Sequence, residues 1–425
     1  MFRDLPQCDE KSTRVSSESV QKLRNMKILI VHNAYRFRGG EERYVTLQTE
    51  VLLNEGHEVV SYQKDSRDIE RLPAFMKLRV AGEMLYSRRV YREVSELIEV
   101  EKPDVVHIHN VLPLITPSAI RASADSGVPV VYSHHNYRIS CPSGLRYLNG
   151  SACSRCSKGS FIPAVRNRCV QESFWPSLAY AATLQLHKVL GTFVNDVSIH
   201  ICPTKYLARE VAKVLPAGAT VEVVNHFLPD RPTQPRHGSR PYVAYLGRIS
   251  QEKGVQVLLR AAPSIVKKTD IEILGDGPLR VPLQESVDSE ISASVHFRGH
   301  VDDESRFETL EGALAVIVPS LCEEIAGYVV LEGFRAGVPI IASRAGGLAE
   351  LVEDGVNGIL CPPGSSHALA TAIERLVQEP QLRDRLSRQA RNTYLQKYTA
   401  GHGYTALTDC YARAMEMRQS HGQRN

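Results

Sequence analysis

Residues 27–63 read KILIVHNAYRFRGGEERYVTLQTEVLLNEGHEVVSYQ, and residues 242–274 read YVAYLGRISQEKGVQVLLRAAPSIVKKTDIEIL. Each is an apolar run of strand length, a glycine-bearing turn, a helical period and a second apolar run. A parallel partner strand cannot be reached by a hairpin, so this order predicts βαβ units. Outward from the first stretch, DVVHIHN (104–110), VPVVYSHHN (128–136) and SIHICPT (198–204) continue the alternation; outward from the second, SVHFRGH (294–300), AVIVPS (315–320), PIIAS (339–343) and GILCPP (358–363) do the same. Two doubly wound α/β sheets are expected, joined through the Pro- and Arg-rich segment HFLPDRPTQPRHGSRP (226–241). The expected division is a loose polar tail over 1–25, which leaves Met26 as an alternative start, and a first Rossmann-like domain over 26–224 with a Cys-rich insertion at 138–172. A second Rossmann-like domain follows over 225–400, and a helix over 401–425 crosses back onto the first. Two such domains face a central cleft at the carboxyl ends of their strands, where open α/β sheets bind ligands.

Composition agrees. The chain has 425 residues, about twice the span of one hydrophobic core. With 43% hydrophobic and 23% charged residues it reads as a globular protein, which excludes collagen, coiled coil and long disorder. Lys and Arg exceed Asp and Glu by only 51 to 47, so no basic field points to nucleic acid. No apolar run reaches the length of a spanning helix and the first residues lack the apolar centre of a secretory signal, so a cytoplasmic protein is expected.

Three elements of the second half carry chemistry. Gly247-Arg248-Ile249-Ser250-Gln251-Glu252-Lys253-Gly254 is a strand-to-helix turn with two cations, suited to phosphate and equally suited to an ordinary surface turn. Gly275 and Gly277 follow the next strand, where small residues would let a base or sugar approach the backbone. Glu324 and Glu332 stand with seven residues between them, two acceptors suited to vicinal hydroxyls; as a lone pair they would read as a cap and a solvated charge.

Taken in order, G-R-x-x-x-E-K-G, G-D-G-P, E-x7-E, GVPIIAS and the Gly346-Gly347-Leu348-Ala349-Glu350 turn resemble the nucleotide-sugar domain of GT4-type retaining glycosyltransferases of GT-B fold. KILIVHNAYRFRGGEERYV, PDVVHIHN and YSHHNYR resemble that family's first domain more loosely. The resemblance implies that Arg248, Lys253 and the Gly247 turn bind the donor diphosphate and that Glu332 binds the ribose hydroxyls. Glu324 and Gly327 would meet the transferred sugar, Gly39-Gly40 would lie beside phosphate or acceptor, and His135 would sit at the reacting face. His134, His107 and His109 compete with His135, and a structural imidazole is the rival reading for each. Ile325-Ala326 replaces an aromatic wall common in the family, and Cys322 stands where an aromatic is frequent. The implied reaction moves a sugar from a nucleotide-diphosphate sugar to a glycan or polyprenyl-linked acceptor in exopolysaccharide, capsule or lipopolysaccharide synthesis, with no cofactor for catalysis. A catalytically silent nucleotide-sugar sensor and a GT-B epimerase are the alternatives. An NAD-dependent dehydrogenase is disfavoured because the first turn lacks G-x-G-x-x-G.

Cys141, Cys153, Cys156 and Cys169 form C-x11-C-x2-C-x12-C, the spacing of a structural zinc site or of four free thiols. Lys77, Arg79, Arg88, Arg89 and Arg92 lie on an amphipathic stretch that reads either as a peripheral membrane contact or as a solvated helix.

Overall fold

The computed structural model describes residues 25–36, 39–233 and 241–422, so nearly all of the expected tail and the middle of the expected linker lie outside it. The first sheet contains β1 (Lys27–Ala34), β2 (Glu58–Asp65), β3 (Val105–Asn110) and β4 (Val130–Ser133). A two-residue hairpin, β5 (Tyr147–Leu148) and β6 (Ser151–Ala152), stands apart within the cysteine segment, and β7 (Ile199–Cys202) and β8 (Val221–Val223) complete the sheet. The second sheet holds β9 (Tyr242–Leu246), β10 (Asp270–Leu274), β11 (Val295–Gly299), β12 (Val316–Val318), β13 (Ile340–Ser343) and β14 (Gly358–Cys361). The orders are β2-β1-β3-β4-β7-β8 and β11-β10-β9-β12-β13-β14, with every pair parallel. Each order reverses beside its first strand, between β1 and β3 and between β9 and β12, and these switch points open the crevices that bind ligands in doubly wound folds.

Alternate residues of each central strand enter separate cores. Leu29 and Val31 face one side of the first sheet with Val106 and Ile108, while Ile28 and Ile30 face the other with Val105 and Val131. Val243 and Tyr245 likewise part from Ala244 in the second sheet. Burial on both faces is why these strands are continuous apolar runs in sequence. The helices that build the cleft and its surroundings are α1 (Gly40–Asn54), α2 (Ala74–Glu83), α3 (Arg88–Glu101), α4 (Ile162–Arg166), α5 (Phe174–Val189), α6 (Val255–Ile265), α7 (Tyr328–Arg335) and α8 (Ala400–Gly422).

The chain passes between the domains twice, and the two passages lie side by side. The Leu228 amide donates to the Tyr398 carbonyl (3.0 Å), and the Tyr394 hydroxyl donates to the Leu228 carbonyl (2.9 Å). From there α8 runs over the first sheet, where Leu407, Cys410, Tyr411 and Ala414 join the core of Ile28, Ile30 and Val45. The last helix thus covers a sheet face that the first domain leaves open.

Candidate functional site

Every residue singled out in the second domain lies at or just beyond a strand's carboxyl end. Lys253, in a short 3-10 turn after β9, donates to Glu324 Oε1 at 2.6 Å, and Ser320 Oγ donates to the same oxygen at 2.7 Å. Burial opposes charge on both partners, yet each outweighs that for the other: Lys253 is held above the usual ammonium range and Glu324 below the usual carboxylate range. Both are therefore charged at neutral pH. Arg248 is exposed on the same turn, whose backbone is tied down by the Tyr245 hydroxyl donating to the Arg248 carbonyl (2.8 Å).

The glycines after β10 make room for the neighbouring loop. A Cβ on Gly275 would stand 1.9 Å from the Gly247 carbonyl oxygen, and one on Gly277 2.4 Å from the Ile249 carbonyl oxygen. The side of Gly275 and Gly277 on which a Cβ would stand is filled by the Gly247–Ile249 loop itself. Gly247 and its neighbours are held by this packing, which fixes the loop carrying Arg248 and Lys253. Gly327 begins α7 with Leu348 close against it.

Glu332, buried one helical turn into α7, accepts from Arg43 of α1 in the other domain and from Arg306 at 3.4 Å. Arg43 also pairs with Asp303 (3.5 Å) and lies over the Tyr328 ring, 5.6 Å from its centroid. The carboxylate expected to meet ribose is engaged by arginines here, so a nucleotide has to share or displace Arg43. The Gly39-Gly40 turn is also engaged. The Gly39 amide donates to Glu42 Oε2 (2.8 Å), the Tyr35 amide to Glu42 Oε1 (2.8 Å), and a Cβ on Gly40 would lie 3.3 Å from Tyr328 Cβ. This turn closes on its own carboxylate and on α7. Further contacts cross the cleft from the Glu323–Ile325 loop: the Tyr137 hydroxyl donates to the Glu323 carbonyl (2.9 Å) and Thr204 Oγ1 to the Ile325 carbonyl (2.7 Å).

At the opposite wall, imidazoles stack in a row. His107 and His109 have centroids 4.2 Å apart, His109 and His135 5.2 Å, and His135 and His226 5.4 Å; Tyr328 follows at 6.0 Å from His226. His109 Nδ1 lies 2.9 Å from His135 Nε2, and His226 Nε2 3.3 Å from His135 Nδ1. Of the four histidines weighed in the sequence, His135 is the one that keeps partial exposure. His134 is turned under the sheet against His200 (2.9 Å), and His107 is engaged by Tyr411 (2.6 Å) and Ser133 (2.7 Å). Burial, then the neighbouring imidazoles, hold His135 well below the ordinary histidine range, so it is neutral at pH 7. Both ring nitrogens of His32, Nε2 of His109 and Glu41 Oε1 are buried with no hydrogen-bond partner among the described residues.

A family model described as Glycosyltransferase Family 4 matches residues 38–230, and one described as Glycosyl transferases group 1 matches residues 229–393. The chain belongs to the GT4-type glycosyltransferases. The domain boundary between the two matches falls where the first passage between sheets runs. Among the relatives of this GT4-type chain, alpha-D-kanosaminyltransferase of Streptomyces kanamyceticus is 32% identical over 176 residues, 40% of this chain and 45% of that protein. Glycogen synthase of Mycobacterium tuberculosis is 26% identical over 323 residues, 74% of this chain and 69% of that protein. The chain spans about half the length of the first of these. The structure of Anabaena HepE in complex with UDP superposes with a TM-score of 0.63 at 17% identity, covering 91% of this chain and 99% of that one. Sucrose-phosphate synthase of Thermosynechococcus elongatus does so with a TM-score of 0.66 at 16% identity, covering 94% and 98%. At such identity the likeness is one of fold, and the fold is GT-B.

Arg43, Arg306, Tyr328 and His226 are cleft residues of this GT4-type chain that sequence reading passed over. Arg43 lies one turn into the helix after Gly39-Gly40, a position where an inward-facing cation could have been sought; nothing in the spacing marks the others. Within the insertion, Cys141, Cys153, Cys156 and Cys169 line one cavity of about 20 Å³, room for about one water-sized body. All four are free thiols, and burial, then Cys141, pushes Cys156 up to about 11. Among the described residues no three His, Cys, Asp or Glu side chains are drawn into metal-holding geometry.

Proposed function

We propose that the chain is a retaining glycosyltransferase that moves a sugar from a nucleotide-diphosphate sugar to a glycan or lipid-linked saccharide in surface polysaccharide synthesis. The observation that carries this reading is the charged Lys253–Glu324 pair with Ser320, set beyond β9 and β12 at the second sheet's switch point. Lys253 and Arg248 would neutralise charge developing on the leaving diphosphate, an effect largest where water is excluded. Glu324 would accept from the transferred sugar's hydroxyls and Glu332 from the ribose. His135, neutral and aligned by His109 and His226, would sit against the sugar. Attack from the face the diphosphate leaves, with that diphosphate taking the acceptor proton, accounts for retention without a carboxylate nucleophile. A relative in Rhizobium meliloti, the lipopolysaccharide core biosynthesis glycosyltransferase LpsE, supports the acceptor class at 28% identity over 232 residues.

The test is slow transfer to water, followed by proton NMR of the released sugar. The first-formed anomer should keep the donor's configuration; an inverted anomer removes the retaining reading, and no turnover of UDP-, GDP- or ADP-sugars favours the sensor. For the cysteine cavity we propose a structural zinc held by Cys141, Cys153, Cys156 and Cys169, supported by four thiols around room for one ion. A cation would reverse the burial penalty on Cys156 and Cys169 and draw the four side chains inward as ligands. Protein purified without chelator should carry one zinc per chain; zinc-free folded protein with these thiols open to Ellman's reagent overturns the site.

A further inference from the structure

Tyr137 immediately precedes the cysteine segment and Arg146 lies within it, and both side chains are buried. Their backbones are held by two of the four cysteines: the Cys141 amide donates to the Tyr137 carbonyl (2.8 Å) and the Cys153 amide to the Arg146 carbonyl (2.7 Å). Arg146 also lines the cavity between the four thiols. Its backbone is in the left-handed region, at a φ of 46°, which a residue with a side chain occupies at an energetic cost and keeps only where its surroundings dictate it. Those surroundings are specific. Arg146 donates to Glu210 Oε2 at 2.6 Å, and its guanidinium lies over the Tyr137 ring, 4.7 Å from the centroid. A buried cation paired on one side and stacked on a ring face fixes the ring as well as itself.

From this pair two paths cross to the second domain and end on the same loop. The Tyr137 hydroxyl donates to the Glu323 carbonyl (2.9 Å), next to Glu324. Glu210 belongs to the helix Lys205–Ala212, whose first turn is held by the second domain. Thr204 Oγ1, its cap, donates to the Ile325 carbonyl (2.7 Å), and the Lys205 and Tyr206 amides donate to the Glu350 carboxylate (2.8 and 2.7 Å). Behind the loop the Gly347 amide donates to the Glu324 carbonyl at 2.6 Å. The carbonyls of Glu323, Glu324 and Ile325 are thus held in succession, the outer pair by the first domain and the middle one by the second. The side chain between the outer pair is the Glu324 carboxylate that pairs with Lys253. A carboxylate on a loop keeps one direction only where the backbone that carries it is pinned.

We propose that Tyr137, seated by Arg146 and the cysteine segment, is a positioning residue for the Glu324 carboxylate, so that the arrangement of the four thiols governs how tightly the transferred sugar is held. The inference rests on the proposed function, which places that sugar's hydroxyls on Glu324. The experiment is calorimetric titration of the full-length protein with UDP-, GDP- and ADP-sugars, and with the nucleoside diphosphate of whichever base binds. Tyr137→Phe removes the hydroxyl and keeps the ring under Arg146. It should weaken the sugar nucleotide at least about fivefold, the worth of one hydrogen bond, and change the affinity for the nucleoside diphosphate by less than about twofold. A general loss of structure would weaken both alike. Cys141→Ser with Cys153→Ser, checked for a cooperative melt, should bring the same selective loss, and Tyr137→Phe added to it should cost less than about twofold more, because the two changes act through one contact. If the cysteine variant does not fold, Arg146→Lys, which keeps a charge at Glu210 but not the planar stacking, takes its place in the cycle. Equal weakening of sugar nucleotide and nucleoside diphosphate by Tyr137→Phe overturns the proposal, as do losses that multiply in the combined variant. Unaltered protein that binds no sugar nucleotide overturns the proposed function and this inference with it. Unaltered protein that binds one, with Tyr137→Phe equal to it, overturns this inference alone.

Discussion

Lowering the pH from 7 to 5.5 should destabilise the first domain through its buried imidazoles. Burial holds His32 and His200 at about 4 and His107 and His226 at about 3. His107 Nδ1 faces the Gln48 amide nitrogen (2.9 Å) and the Tyr411 hydroxyl (2.6 Å), so protonation there would also break an accepted hydrogen bond. In each case the folded pKa lies below the unfolded one, so the stabilisation is complete above the unfolded value of about 6.5 and falls away below it. Between pH 7 and 5.5 each such group gives up about 1.3 kcal/mol, and four give up about 5 kcal/mol. Glu41 acts the other way. Burial, then Glu42, pushes its carboxyl up to about 8, so its contribution grows as pH falls toward its unfolded value and returns about 2 kcal/mol over the same interval. These five groups together lose about 3 kcal/mol, a large part of an ordinary domain's stability, and His109, His134 and His135, which burial also holds well below the ordinary histidine range, add to the loss. Urea unfolding by circular dichroism at the two pH values reads it directly. His107→Phe should lose about 1.3 kcal/mol of the pH dependence whatever its absolute stability. First-domain stability that stays level or rises between pH 7 and 5.5 would refute this reasoning.

Three further outcomes are expected. Gly347→Ala places a Cβ 2.1 Å from the Ile325 carbonyl oxygen, in the turn that backs the Glu324 loop, and should cost about 1–3 kcal/mol by thermal unfolding while reducing donor-dependent transfer; unchanged transfer contradicts the role given to this packing. Ending the chain after Thr399 uncovers the sheet face under Leu407 and Tyr411, each side chain contributing about 1.5–3 kcal/mol, so the shortened protein should bind the dye ANS and aggregate; a soluble protein of unchanged melting temperature argues against it. Arg43→Ala frees Glu332 for ribose and should tighten nucleotide-sugar binding several-fold by calorimetry; weaker binding would show that Arg43 itself holds the donor.

The strands were legible because both faces of each sheet are covered. β1, β3 and β9 have no solvent side, so Ile28 to Val31 and Val243 to Tyr245 appear as unbroken apolar runs. The Lys253 and Glu324 positions were legible from local motifs, each tied to its own strand end. What joins the domains was not. Arg43 and Glu332 are separated by 289 positions, and no period or spacing relates residues brought together by the packing of separate sheets. Gly275 and Gly277 show the limit of local reading: a glycine announces a close approach but not the partner, which here is the neighbouring loop. The histidine row escaped for a similar reason, since His107, His135 and His226 come from separate segments and meet only when β3, β4 and the first passage between domains are side by side.

The most direct test of the nucleotide-sugar site is calorimetric titration of the protein with UDP-, GDP- and ADP-sugars, repeated with Lys253→Ala and Glu332→Ala. One donor should bind the unaltered protein, and Lys253→Ala should weaken it at least about tenfold through loss of a charge-assisted contact with the diphosphate. Glu332→Ala should weaken every sugar of that base alike, since its contact is with the ribose. Binding that both variants keep unchanged, or no binding of any donor at millimolar concentration, would contradict the account.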